Sequence, residues 1–136
     1  MNLGFFASHG GSNFQVLAEA CRDQRIAARA AVLVSNNASS LALERARALG
    51  IPGHHLCVGK QFEDADKVDR ACLEVLERYA IDLVVLCGYM KKIGSLVLGA
   101  YRGRVINTHP ALLPKFGGQG MYGRNVHAAV IAARDS

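Results

Sequence analysis

Asn2-Leu3-Gly4-Phe5-Phe6-Ala7-Ser8-His9-Gly10-Gly11-Ser12-Asn13-Phe14-Gln15 is the stretch on which the fold turns. Residues 2 to 7 form a continuous apolar run of strand length, the pattern of a strand covered on both faces. Ser8 to Gly11 break the run, and helical spacing follows at once, with Phe14, Leu17, Ala18 and Cys21 on one face. Ser12-Asn13-Phe14-Gln15 fits a capping box, with Ser12 as N-cap and Gln15 at the third helical position. Such a turn gathers free N–H groups at the positive end of a helix dipole, and its glycines let an anion approach the backbone. An ordinary strand-to-helix junction needs the same turn and cap. The turn is neither a Walker loop nor G-x-G-x-x-G, because no Gly-Lys-Ser/Thr follows and Gly4 lies inside the strand. A mononucleotide or sugar phosphate therefore suits it better than ATP or a dinucleotide.

The same alternation of short apolar runs and helical spacing continues outward. Ala30 to Val34 reads as a buried strand, and a helix from Ser39 or Ser40 to Leu49 follows, stopped by Gly50 with Pro52 beyond. His54 to Val58 reads as a short third strand; its paired histidines would face opposite sides, which argues against a metal site. Helical spacing then runs from Phe62 to Tyr79 behind the acidic pair Glu63-Asp64, and Asp82 to Cys87 is a further buried strand. After Gly88-Tyr89-Met90-Lys91-Lys92-Ile93, a helix from Ser95 to Tyr101 returns to the run Arg104-Val105-Ile106-Asn107. Strands alternating with helices, without repeats or linkers, predict an α/β fold: one domain over residues 1–136 with a doubly wound, mainly parallel sheet and helices on both faces.

Thr108-His109-Pro110 halts the last of these runs, since Pro110 lacks an N–H and disfavours helical geometry at His109. An amide, Asn107, and an imidazole, His109, thus share a strand tip, although a plain polar loop could carry both. The stretch from Gly117 to Gly123 holds four glycines and reads as a mobile flap or a surface loop, and Val126, Ala129, Val130 and Ala133 mark one face of a last helix. In a parallel sheet the carboxyl ends share one edge, so Gly11 to Asn13, Gly88 to Ile93, and Asn107 with His109 can line one crevice.

Composition narrows the function. The chain is 51% hydrophobic and 20% charged with a net charge of +5, and its basic residues are scattered rather than massed as a nucleic-acid arm. That bias suits a small anionic substrate. No run approaches a membrane span of about 20 apolar residues, and no signal-peptide pattern opens the chain. Cys21, Cys57, Cys72 and Cys87 form no C-x-x-C pair and read as buried thiols of a cytoplasmic protein.

Gly11-Ser12-Asn13, the run into Gly88-Tyr89-Met90, and Ile106-Asn107-Thr108-His109-Pro110-Ala111-Leu112-Leu113-Pro114 together resemble the folate-dependent formyltransferases. Within that group the early Gly-Ser-Asn is similar to the phosphoribosylglycinamide formyltransferases of purine synthesis. The resemblance implies formyl transfer from 10-formyltetrahydrofolate to the amine of glycinamide ribonucleotide, without a metal, nucleic acid or membrane. It implies that Gly11, Ser12 and Asn13 hold the substrate phosphate, that Met90, Lys91, Lys92, Ile93 and Asn107 line the donor pocket, and that Asn107 and His109 are catalytic. Lys92 departs from the pattern, for the family often has an apolar residue there.

The family's orienting aspartate lies farther past the histidine than the 27 residues that follow His109 here, and so do its last strands and closing helix. The resemblance therefore implies weakened transfer in this chain and an exposed sheet edge that a homo-oligomer would cover. A 10-formyltetrahydrofolate hydrolase, or a remnant that binds nucleotide or folate without turnover, are the alternative readings.

Overall fold

The computed structural model describes residues 1–108. Five strands alternate with four helices: β1 (Asn2–Phe6), α1 (Ser12–Arg22), β2 (Arg29–Ser35), α2 (Leu41–Ala48), β3 (Gly53–His55), α3 (Ala65–Arg78), β4 (Leu83–Leu86), α4 (Ser95–Ala100) and β5 (Val105–Asn107). The strands form one sheet in the order β3-β2-β1-β4-β5, every pair parallel. This is the doubly wound architecture expected from the alternation. The glycine-rich stretch at 117–123, the last helix and His109 lie outside the described residues.

Side-chain alternation along the strands divides the core into two layers. Leu3, Phe5, Leu33 and Val85 face α1 and α2, packing on Phe14, Ala18, Ala42 and Ala46. Phe6, Val32, Val34 and Val84 face α3 and α4, packing on Cys72, Val75, Leu76 and Val97. Both faces are thus covered, which is why the strands read as unbroken apolar runs. The chain winds from β1 through β2 to β3 and then crosses back to β4 on the other side of β1. The loops after β1 and β4 therefore part toward opposite faces, and the gap between them is the point where ligands bind in open α/β sheets.

Helix ends depart from expectation in identifiable ways. Ser12 is not the N-cap of α1: Gly11 takes that position with φ 70° and ψ 28°, and no side chain caps the helix. The left-handed glycine already turns the chain into the helix, so the capping box is not formed. Helix α3 starts at Ala65, inside the apolar periodicity, because the Asp64 carboxylate accepts the Lys67 N–H and fixes the first turn there. Strand β3 is only three residues long, shorter than the run to Val58. Gly50 does stop α2: with φ 73° it lets its own N–H reach Arg47 O and the Ile51 N–H reach Ala46 O at 2.8 Å, a Schellman closure.

The paired histidines separate as strand neighbours must. His55 lines a small hollow with Arg47, whereas His54 Nε2 shares a 2.9 Å hydrogen bond with the Tyr79 hydroxyl beside α3. Burial, and secondarily the Arg78 charge, lower the His54 pKa. The unfolded chain consequently takes up this proton first as pH falls. The stability that neutral His54 contributes is whole above the ordinary histidine pKa of about 6.5 and is lost as pH drops below it. Urea midpoints should fall more steeply from about pH 7.5 to 5 for the wild type than for His54→Asn. Parallel profiles would remove His54 from this account.

Candidate functional site

The site is built where β1, β4 and β5 end. Gly11 turns α1 outward so that the N–H groups of Ser12, Asn13 and Phe14 meet no acceptor among the described residues, while the Gln15 N–H bonds Gly11 O at 2.9 Å. Those three donors point out of the helix N-terminus, where the dipole favours an anion. The turn is braced from α2, whose Arg45 donates from Nε to Gly10 O at 2.8 Å and from its guanidinium to Gln15 Oε1. The Ala42 N–H adds a 2.9 Å bond to His9 O.

Asn13 then reaches across the sheet edge, donating from Nδ2 to Thr108 O at 2.9 Å. Thr108 is fixed in turn, its N–H and Oγ1–H both bonding Leu86 O at 3.0 and 3.1 Å. Asn107 lies opposite Leu86 in the β4/β5 ladder and is solvent-exposed. The proposed phosphate turn and the Asn107 strand tip are therefore joined through one residue.

The β4–α4 loop completes this edge. Gly88 (φ 71°) turns it, and the Met90 N–H donates to Ser8 Oγ at 2.7 Å. Met90 is 65% exposed. Lys91, Lys92 and Ile93 face elsewhere: they line a cavity of about 610 Å³ between α3 and α4, floored by Phe6, Cys72 and Val97. Neither Asn13 nor Asn107 lines that cavity, so the loop has one end at the crevice and the other behind it. At its far end the buried Asp69 carboxylate accepts the Leu96 and Val97 N–H groups at 2.8 and 3.2 Å, pinning the start of α4.

Ser8, Asn36, Arg45, Asp69 and Thr108 escaped the sequence reading. A Ser before paired glycines and an Arg on a predicted helix carry no local sign of a partner many residues away. Cys21, Cys72 and Cys87 are buried free thiols as expected, while Cys57 is only half-buried. Burial pushes Cys72 up to about 12 and Cys87 up to about 11, the latter against a lowering hydrogen bond from Thr108. Protonated throughout the physiological range, both thiols act as apolar packing. Among the described residues no group of three potential metal ligands occurs, and no helix is long and apolar enough to cross a membrane.

The Asn13 side chain thus ties the helix N-terminus to the strand tip that bears Asn107, and comparison with known proteins supplies the family. The family model described as Formyl transferase matches residues 1–133. The chain belongs to the formyltransferase family. Among curated relatives, the chloroplastic phosphoribosylglycinamide formyltransferase of Arabidopsis thaliana is 39% identical over 129 residues, covering 95% of this chain and 44% of that protein. The phosphoribosylglycinamide formyltransferase of Escherichia coli strain K12 is 37% identical over 118 residues, covering 87% of this chain and 55% of that protein. Among solved structures, glycinamide ribonucleotide transformylase 1 from Symbiobacterium toebii superposes with a TM-score of 0.78 at 35% identity, covering 93% of this chain and 60% of that one. The chain thus spans about half the length of these two curated relatives.

Proposed function

We propose that this chain carries the catalytic edge of a phosphoribosylglycinamide formyltransferase, which moves the formyl group of 10-formyltetrahydrofolate to the amine of glycinamide ribonucleotide. The observation that carries the reading is the Asn13 Nδ2 to Thr108 O bond, which ties an anion-binding turn to the strand tip of Asn107. Gly11, Ser12 and Asn13 bind the substrate phosphate through backbone N–H groups at the α1 terminus. Met90 forms the crevice end of the donor side, its exposed apolar surface next to a backbone held by Ser8, while Lys91, Lys92 and Ile93 carry the same loop into the cavity between α3 and α4.

The donor supplies an electrophilic formyl carbon when bound. As the substrate amine attacks it, negative charge gathers on the formyl oxygen, and the Asn107 amide stabilises that charge without competing for protons. His109 donates a hydrogen bond or a proton as the new C–N bond is completed and the donor nitrogen leaves, its ordinary pKa lying close to neutrality. Neither step asks for a metal ion or a covalent enzyme intermediate. The buried thiols suit a reducing cytoplasm.

Titration with glycinamide ribonucleotide and a labelled-formyl transfer assay test the reading together. We expect saturable binding that inorganic phosphate competes, and label appearing on the substrate amine. Formate released without consumption of the amine would assign hydrolase chemistry instead. Binding of neither substrate nor donor would overturn the reading.

A further inference from the structure

We infer that Ser8 is a positioning residue that clamps the ends of β1, β2 and β4 and thereby fixes the Met90 loop at the mouth of the crevice; its ligand-binding consequence rests on the proposed reading of that loop as the donor side. Ser8 is 0% exposed, and it belongs to neither apolar layer. It sits at the switch point, with β2 on one side of β1 and β4 on the other. Its Oγ–H donates to Asn36 Oδ1 at 2.6 Å, just past the end of β2. The same oxygen accepts the Met90 N–H at 2.7 Å, and the Ser8 backbone N–H donates to Gly88 O at 3.3 Å.

Among the described residues, both hydrogen bonds that join Gly88 to Ile93 to another strand end involve Ser8. The phosphate turn is different, being braced separately by Arg45 and Ala42. Loss of the Ser8 hydroxyl therefore removes the acceptor for Met90 and the donor for Asn36 while leaving the phosphate turn its own supports. A hydroxyl serves both roles in a fully buried space, whereas an alanine serves neither.

Amide hydrogen exchange on the chain tests the clamp directly. In Ser8→Ala the Met90 amide should exchange about tenfold faster or more, with the Phe5 amide in the core of β1 changed less than about twofold. Ser8→Thr, which keeps the hydroxyl, should return Met90 protection to within about threefold of the wild type. Should Ser8→Ala not fold, Asn36→Ala, which removes only the group that orients the hydroxyl, should still speed Met90 exchange about threefold.

The ligand arm uses tetrahydrofolate and glycinamide ribonucleotide as probes. Tetrahydrofolate affinity should weaken about tenfold or more in Ser8→Ala, and glycinamide ribonucleotide affinity should change by less than about twofold. Unchanged Met90 exchange overturns the clamp whatever the ligands do, and loosened exchange with unaltered tetrahydrofolate affinity overturns its positioning role. A wild-type chain that binds no tetrahydrofolate overturns the donor-side reading instead, while the exchange measurement still decides the clamp.

Discussion

Gly11→Ala is expected to destabilise the protein by about 3 kcal/mol or more and to abolish capture of the substrate phosphate. Two separate penalties meet at this residue. Its φ of 70° places the backbone in the left-handed region, which costs a residue bearing Cβ about 1–2 kcal/mol. An added Cβ would also lie 2.6 Å from Ala42 Cβ and 3.0 Å from Ala42 Cα. Neither atom can swing aside, since Ala42 is 0% exposed at the start of α2 and its N–H is bonded to His9 O. Overpacking of that kind costs roughly 1–3 kcal/mol. The combined loss is a large part of a typical stability of about 5–15 kcal/mol.

Gly10 supplies the control. A Cβ there meets nothing within 4 Å among the described residues, so Gly10→Ala should stay within about 1 kcal/mol of the wild type. Urea unfolding followed by circular dichroism compares the two variants. Equal midpoints for both would show that the turn does not depend on Gly11.

His109→Ala, measured in a form of the chain that supports transfer, should lower turnover by about 100-fold or more while leaving glycinamide ribonucleotide affinity close to normal. The substrate phosphate is assigned to Gly11, Ser12 and Asn13, so losing the imidazole removes proton delivery without removing the anchor. A change confined to turnover separates a reacting group from a binding group. Near-normal turnover in the variant would take the catalytic role away from His109.

The sheet was legible because a strand buried on both faces leaves an unbroken apolar run, as at Phe5-Phe6 and Val84-Val85, and because glycines mark the turns that follow. Strand neighbours were less so. That β4 lies against β1 depends on the crossing of α3 behind the sheet, which no local spacing expresses. The capping box at Ser12 failed because a left-handed Gly11 competes for the same job, and sequence alone does not assign φ. The early boundary at Phe62 failed because apolar periodicity runs past the point where Asp64 caps. At the site, Asn13 was visible from its turn, whereas its acceptor Thr108 stands 95 residues away. Ser8 was passed over for the same reason, with partners 28 and 82 residues distant. Residues with local signatures were read, and residues defined by tertiary partners were not.

That 95-residue separation also bears on how the protein assembles. The Gly11–Asn13 turn lies near the beginning of the described chain, yet its brace on Thr108 comes into existence only when β5, a three-residue strand whose described sheet neighbour is β4, has docked. Contacts of such high order form late in folding, and short edge elements open early. A chain with a native core and an undocked β5 would therefore pass tests of secondary structure and still lack the Asn13 to Thr108 bond.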